Sequence, residues 1–358
     1  MIAQATASAL PGTSASIRRY IEVQQVRQIS LPARLDTVEA IRFAQSLAAI
    51  APEEKCTLDI RHEPWADPLG MLLVASAIRR FRTARLAAGT HCAILGKVTE
   101  NSYLSWMGFY DAAGISGGKP TGHTHGKRKY LPITCIQFRE LNNEAGASIH
   151  EQIYERSKRL AAILLQTGTR ETKETLAIGY ALREILRNVY EHSGAAKAYL
   201  VAQAWDSGIV EIAILDEGIG ILKSLARNAT HRAYTDASAI ILATAEGVTG
   251  ATSKSPDIAD MAAWESQSYG VDPSRWENTG YGLYVLRKVS ESAGSLHICS
   301  GDACVTFTDE PPSVAMSFHR GTAIGLRVSA ARAAERLEET MKSLPESVRL
   351  RGSGSTRL

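Results

Sequence analysis

The run Gly117-Gly118-Lys119-Pro120-Thr121-Gly122-His123-Thr124-His125-Gly126-Lys127-Arg128-Lys129 limits the possible folds of this chain more than any other stretch. Glycine and proline at this density break helices and strands alike, and the charges hold the run in water. It predicts a linker (117–129) between a unit at 17–116 and a larger one at 130–330. Tails are expected at 1–16 and, after a last helix, toward 358. His123 and His125 make no metal site by themselves, because two imidazoles on a Gly-rich loop fall short of a zinc's ligand set. A length of 358 residues suits two domains.

Composition removes several classes. With 45% hydrophobic and 22% charged residues, the chain is no disordered, collagen-like or coiled-coil rod protein. Forty Lys and Arg against 37 Asp and Glu, spread without long runs, give no footprint for nucleic acid. No segment nears the ~20 apolar residues of a membrane span. The opening Met1-Ile2-Ala3-Gln4 has no basic region of a signal peptide, so a cytoplasmic location is expected. Five cysteines without CxxC spacing read as free thiols.

In the first unit the pattern predicts strands at 23–31, 56–60 and 91–95. A helix is expected at 37–50 with Val38, Ile41, Leu47 and Ile50 inward, another at 69–87, and a helical turn at 103–106. Arg79, Arg80, Arg82 and Arg85 read as cations at the negative end of a helix dipole. The second unit predicts a strand at 130–138 and helices at 149–165 and 172–191. Two strands, 197–205 and 209–215, turn at Asp206-Ser207-Gly208. Helices at 237–245, 283–293 and 330–344 and four short strands at 296–300, 303–308, 315–318 and 322–328 follow. Helices grouped against consecutive antiparallel strands give an α+β sandwich.

Three segments of the second unit carry chemistry. Glu184, Asn188 and His192 recur every four residues, a polar stripe on a helix that is otherwise apolar at Ile178, Leu182, Ile185 and Val189. Alone, such a stripe is a solvated face. Asp216-Glu217-Gly218-Ile219-Gly220 follows the strand Ile212-Ala213-Ile214-Leu215, placing a carboxylate at a strand end beside glycines that admit a flat ligand. Alone, it is a tight turn. Thr279-Gly280-Tyr281-Gly282-Leu283 opens a helix, where exposed amides suit phosphate.

In this order, with a final Gly321-Thr322, the segments resemble the Bergerat-type ATP-binding fold of the GHKL superfamily over about residues 130–330. That superfamily includes gyrase, heat-shock chaperones, histidine kinases, mismatch-repair ATPases and anti-sigma-factor kinases, and the last are nearest in look. The resemblance implies a mixed, mostly antiparallel sheet with helices on one face, and ATP and Mg²⁺ as cofactors. It implies that Asn188 binds the Mg²⁺ and that Glu184 orients or deprotonates the nucleophile. Asp216 would take the adenine amino group, with Thr322 helping through water, while Gly218, Gly220, Gly280 and Gly282 let the backbone approach the nucleotide. His192 would be a helix-end hydrogen-bonding residue. Residues 221–279 correspond to the family's ATP lid, with Lys254 as a phosphate contact or a solvated lysine. His150-Glu151 looks like a phosphoacceptor box but stands too close to Asn188 for a helical hairpin, so a histidine kinase is rejected.

Asp67-Pro68-Leu69-Gly70-Met71-Leu72-Leu73, the strand at 91–95 and Tyr103-Leu104-Ser105-Trp106-Met107-Gly108-Phe109 resemble the STAS domain of anti-sigma-factor antagonists. Pro68 and Leu69 stand where that family carries serines, so a docking or regulatory module is implied and a phosphate switch is not. The two resemblances together leave three activities open: an ATP-hydrolysing conformational switch, a protein serine/threonine kinase, and an ATP-sensing scaffold without turnover. Each implies a protein partner or a second protomer.

Overall fold

The computed structural model describes residues 26–122, 129–141, 149–168, 170–250 and 280–344. The tail at 1–16, His123, His125, Lys254, Thr279 and the end of the chain beyond 344 lie outside them. The chain is a mixed α+β protein whose largest feature is a five-stranded sheet.

The first unit pairs β1 (Arg27–Ser30), β3 (Cys56–Asp59) and β5 (Cys92–Leu95) in parallel, with a short parallel pair of β2 (Arg34–Leu35) and β4 (Trp65–Ala66). Two helices join these strands. Asp36 caps α1 (Thr37–Ala48) through the Glu39 amide, and Asp67 caps α2 (Pro68–Ala87) through the Gly70 amide, with Pro68 in the first turn. Ile41, Leu47 and Ile50 point inward as expected, but Val38 is 54% exposed, because it lies across the helix from the buried Ala40, Phe43 and Leu47. The arginines of α2 do more than answer its dipole. Arg85 is buried, donates to the Ala51 carbonyl and lies over the Phe81 ring. Two short helices follow, α3 (Tyr103–Trp106) and α4 (Phe109–Ala112).

In the second unit β6 (Tyr130–Gln137), β7 (Lys197–Ala204), β8 (Ile209–Asp216), β9 (Gly294–Phe307) and β10 (Ser313–Ser329) form the sheet in the order β6-β7-β8-β10-β9. Every pair in it is antiparallel. The four short strands expected after residue 294 are two long ones, whose pairing shifts register between Met316 and Thr322 instead of breaking. Cys299 and Cys304 are joined as a disulfide within β9, so the free-thiol expectation holds for Cys56, Cys92 and Cys135 alone. After β6 come α5 (Phe138–Leu141), α6 (Ile149–Leu165) and α7 (Lys173–His192), the last opened by a Thr172 capping box. Then α8 (Ile221–Leu225), α9 (Asp236–Ala243) and α10 (Gly282–Ala293) precede β9, and α11 (Ala330–Ser343) ends the described chain.

Both faces of the sheet are buried, which fits strands that read as nearly continuous apolar runs. Leu200, Ala202, Ile212 and Ile214 join a core with Leu182, Ile185, Val285 and Leu337 from α7, α10 and α11. Their neighbours in the alternation, Tyr199, Val201, Ala213 and Leu215, join the other core with Leu69, Leu72 and Ile78 of α2. The first unit is therefore the second helical cover of the sheet. Gly325 marks the closest approach, since a Cβ there would press on the Leu69 side chain. No helix among the described residues is long and apolar enough to cross a membrane.

Candidate functional site

One cavity lies where the end of α7, the end of β8, the start of α10 and β10 converge. It is lined by Asn188, Asp216, Gly220, Gly280, Gly282 and Thr322 among others. Six of the eight expected residues are thus together. Gly218 and Glu184 stand just outside the lining.

Asp216 closes β8 and is 1% exposed. Its Oδ1 accepts from the Gly218 amide at 2.8 Å, while Oδ2 is buried without a hydrogen-bond partner. Burial pushes its carboxyl up to about 6, against the pull of the Gly218 and Thr322 amides. Asn188 Nδ2 is likewise buried without a partner. Leaving such a buried atom without a partner costs about 1–3 kcal/mol. Gly218 serves the loop rather than the lining. A Cβ there would collide with the Ser193 carbonyl, whose oxygen also takes the Ile219 amide at 2.8 Å.

Two positioning residues carried no sequence signal because their partners are far along the chain. The Ser300 hydroxyl accepts from the Ile221 amide at 2.9 Å and donates to the Gly321 carbonyl at 3.0 Å, tying the glycine loop to β10. The buried His319 sets Nε2 2.8 Å from the Asp216 carbonyl. Burial lowers its pKa to about 4, so the neutral ring donates Nε2–H there.

Glu184 is not a free base. It is 1% exposed, and Arg183 Nη2 and Arg187 Nη2 hold its two oxygens at 2.8 and 2.9 Å. Its carboxylate packs against Gly282, where any Cβ would collide with it. At Glu184 the stripe that would ordinarily be a solvated face is a buried ion-pair cluster within α7, packed against the start of α10. Arg187 also reaches the cavity lining.

Glu191 and His192 also line the cavity. Glu191 lies 3.7 Å from Arg187 and 3.8 Å from His150. Burial raises its carboxyl to about 7, although Arg187 opposes the shift. A carboxyl with a raised folded pKa binds its proton more tightly when folded. Its cost to stability is therefore absent below an ordinary glutamate pKa and grows as pH rises to about 7. Glu191→Gln should stabilise the chain by about 1–3 kcal/mol at pH 8 and have almost no effect near pH 4.5. Thermal unfolding at both values checks this, and an equal gain at both would refute it.

The cavity has only about 70 Å³ of free space, far below the ~300–1,000 Å³ of a small-molecule site. Val248, Thr249 and Gly250 form part of its wall, and the backbone at 247–248 presses on Gly280.

Behind the cavity the loop is wired to the first unit. Glu217, next to Asp216, accepts from Ser76 at 2.8 Å and Arg79 at 2.7 Å, both on α2. Arg79 also donates to the Ala112 carbonyl and stacks on Tyr199. No protein family, curated protein or solved structure matches this chain.

Proposed function

We propose that the chain binds Mg·ATP in this cavity as a nucleotide-dependent conformational switch, on a Bergerat-type GHKL fold covered by a STAS-like unit. The observation that carries the reading is Asp216 Oδ2, a buried carboxylate oxygen without a partner at the end of a strand. An exocyclic amine is the donor it lacks. Gly280 and Gly282 at the start of α10 suit the phosphates, which helix amides and a positive dipole end favour, and Arg187 adds a cation at the lining.

The side chains present fit a magnesium ion as far as Asn188 goes. No group of three or more His, Cys, Asp or Glu among the described residues could hold a metal. The side-chain oxygen of Asn188 would be its protein ligand, with phosphate oxygens and water completing an octahedral shell, while the unpartnered Nδ2–H calls for an acceptor such as a phosphate oxygen. When bound, the ion supplies charge neutralisation for the phosphates.

The switch follows from the wall at 247–250, which a nucleotide must displace, and from the Glu217–Arg79 pair, which links the adenine end of the site to α2. A protein partner or second protomer would read that movement. The ion-pair cluster around Glu184 favours a second reading, in which nucleotide is held without turnover. Calorimetric titration of ATP with and without Mg²⁺ tests the proposal. The parent should bind ATP more tightly with the ion present, and Asn188→Ala should lose that gain while unfolding at the same temperature. Binding of ATP unaffected by Mg²⁺ in the parent would remove Asn188 from the role.

A further inference from the structure

β8 pairs with β10 only from Ala323 onward, so the earlier part of β10 runs beside α1 and α2 instead. Gln45 of α1 donates to the Met316 carbonyl at 3.5 Å, and Arg80 of α2 donates through Nη2 to the Phe318 carbonyl at 3.1 Å. Between these three elements lies a groove with about 520 Å³ of free space, inside the ~300–1,000 Å³ range of small-molecule sites. Leu47, Ile50 and Phe81 line it as buried residues, whereas Ala84 and Phe318 line it exposed. Its charge is lopsided. Arg80, Arg85 and Arg320 face a single acid in the lining, Asp302. His319 lines it as well, but burial lowers its pKa to about 4 and leaves it neutral. Arg85 is committed to the Ala51 carbonyl and the Phe81 ring. Arg320 is exposed and makes no hydrogen bond or ion pair among the described residues. Arg80 has no ion pair there either, and its Nη1, which keeps contact with solvent, has no hydrogen-bond partner. Burial lowers its pKa, and the like charges of Arg79 and Arg320 push the same way. Glu217 opposes that shift but is already held by Arg79 and Ser76.

We infer that this groove is a second ligand site, built for an amphipathic carboxylate: a hydrocarbon chain that ends in a carboxyl group. Apart from the charged residues and His319, the lining holds no polar side chain, so the body of the ligand is hydrocarbon. The chain lies against Leu47, Ile50 and Phe81 and covers Phe318, which takes apolar surface out of water. The carboxylate meets the exposed Arg320, whose guanidinium offers two parallel donors to such a group. Arg80 Nη1 supplies a further donor. Two neighbouring guanidiniums without a carboxylate repel each other, and the ligand's charge relieves that repulsion. A small anion alone would gain nothing from the apolar wall, and a neutral chain would leave both arginines unpaired. Head and tail are therefore needed together. The site uses no residue of the nucleotide cavity and stands or falls independently of that reading.

Octanoate is the probe, titrated calorimetrically into the full chain without nucleotide, with acetate and 1-octanol as controls for the head and the tail. Saturable binding about tenfold or more tighter than either control is expected. Arg320→Ala should weaken it about tenfold, the loss of a hydrogen bond between charged groups. Ala84→Glu should weaken it at least as much. A glutamate one helical turn after Arg80 pairs with that arginine and sets a like charge beside the carboxylate. Both substitutions fall on exposed residues, so both variants should melt like the parent. No saturable heat from octanoate would overturn the inference. So would acetate or 1-octanol binding as tightly as octanoate, or octanoate binding that either variant leaves unchanged.

Discussion

Glu184→Ala should destabilise the chain by about 3–5 kcal/mol, the cost of breaking a buried ion pair from one side. Arg183 and Arg187 are 2% and 8% exposed and would lose the carboxylate that neutralises them. Total stabilities of about 5–15 kcal/mol make that loss severe. Resemblance to the GHKL superfamily implies the opposite outcome, a folded protein that has merely lost turnover. Urea denaturation of parent and variant decides between them. Glu184→Gln, which keeps the shape and one oxygen for the arginines, should lose less. A Glu184→Ala variant as stable as the parent would mean that the ion-pair cluster contributes nothing to stability.

Local signals read well in this chain, and tertiary ones did not. The bounds of α6 were legible in full, as was α7 to within a residue, because an apolar period runs through both. The β7–β8 hairpin was legible from Asp206-Ser207-Gly208, where Gly208 takes a positive φ of 79°. The β9–β10 pair was not. Gly301 and Gly321 look like strand breaks, yet they sit at irregularities inside two continuous strands. The residues gathered in the cavity came from motif order alone. What surrounds them depends on chain segments far apart: Ser300 and His319 on Asp216's loop, Ser76 and Arg79 on Glu217, and Gly282 against Glu184. The i,i+3 spacing of Glu184 and Arg187 is one that a helix brings together, but no spacing within one helix announces that its glutamate will meet the start of another. A hint of the double-sided burial was present in Ile212-Ala213-Ile214-Leu215, where a strand with one wet face would alternate.

The central claim is that Asp216 reads adenine. A buried carboxylate accepts from the amino group of adenine but would face the carbonyl of guanine, leaving polar groups unpaired on both sides. Asparagine at this position offers one acceptor and a donor that mismatches, and should weaken ATP binding about tenfold or more, roughly 1.4 kcal/mol at least. The titrations belong near pH 7.5, because the carboxyl titrates at about 6 and is ionised above it. The direct measurement is the affinity of the parent and of Asp216→Asn for Mg·ATP and Mg·GTP. The account predicts that the parent prefers ATP by about tenfold or more and that the variant loses most of that preference. Equal affinity of the parent for the two nucleotides, or an Asp216→Asn variant that binds ATP as tightly as the parent, would contradict it.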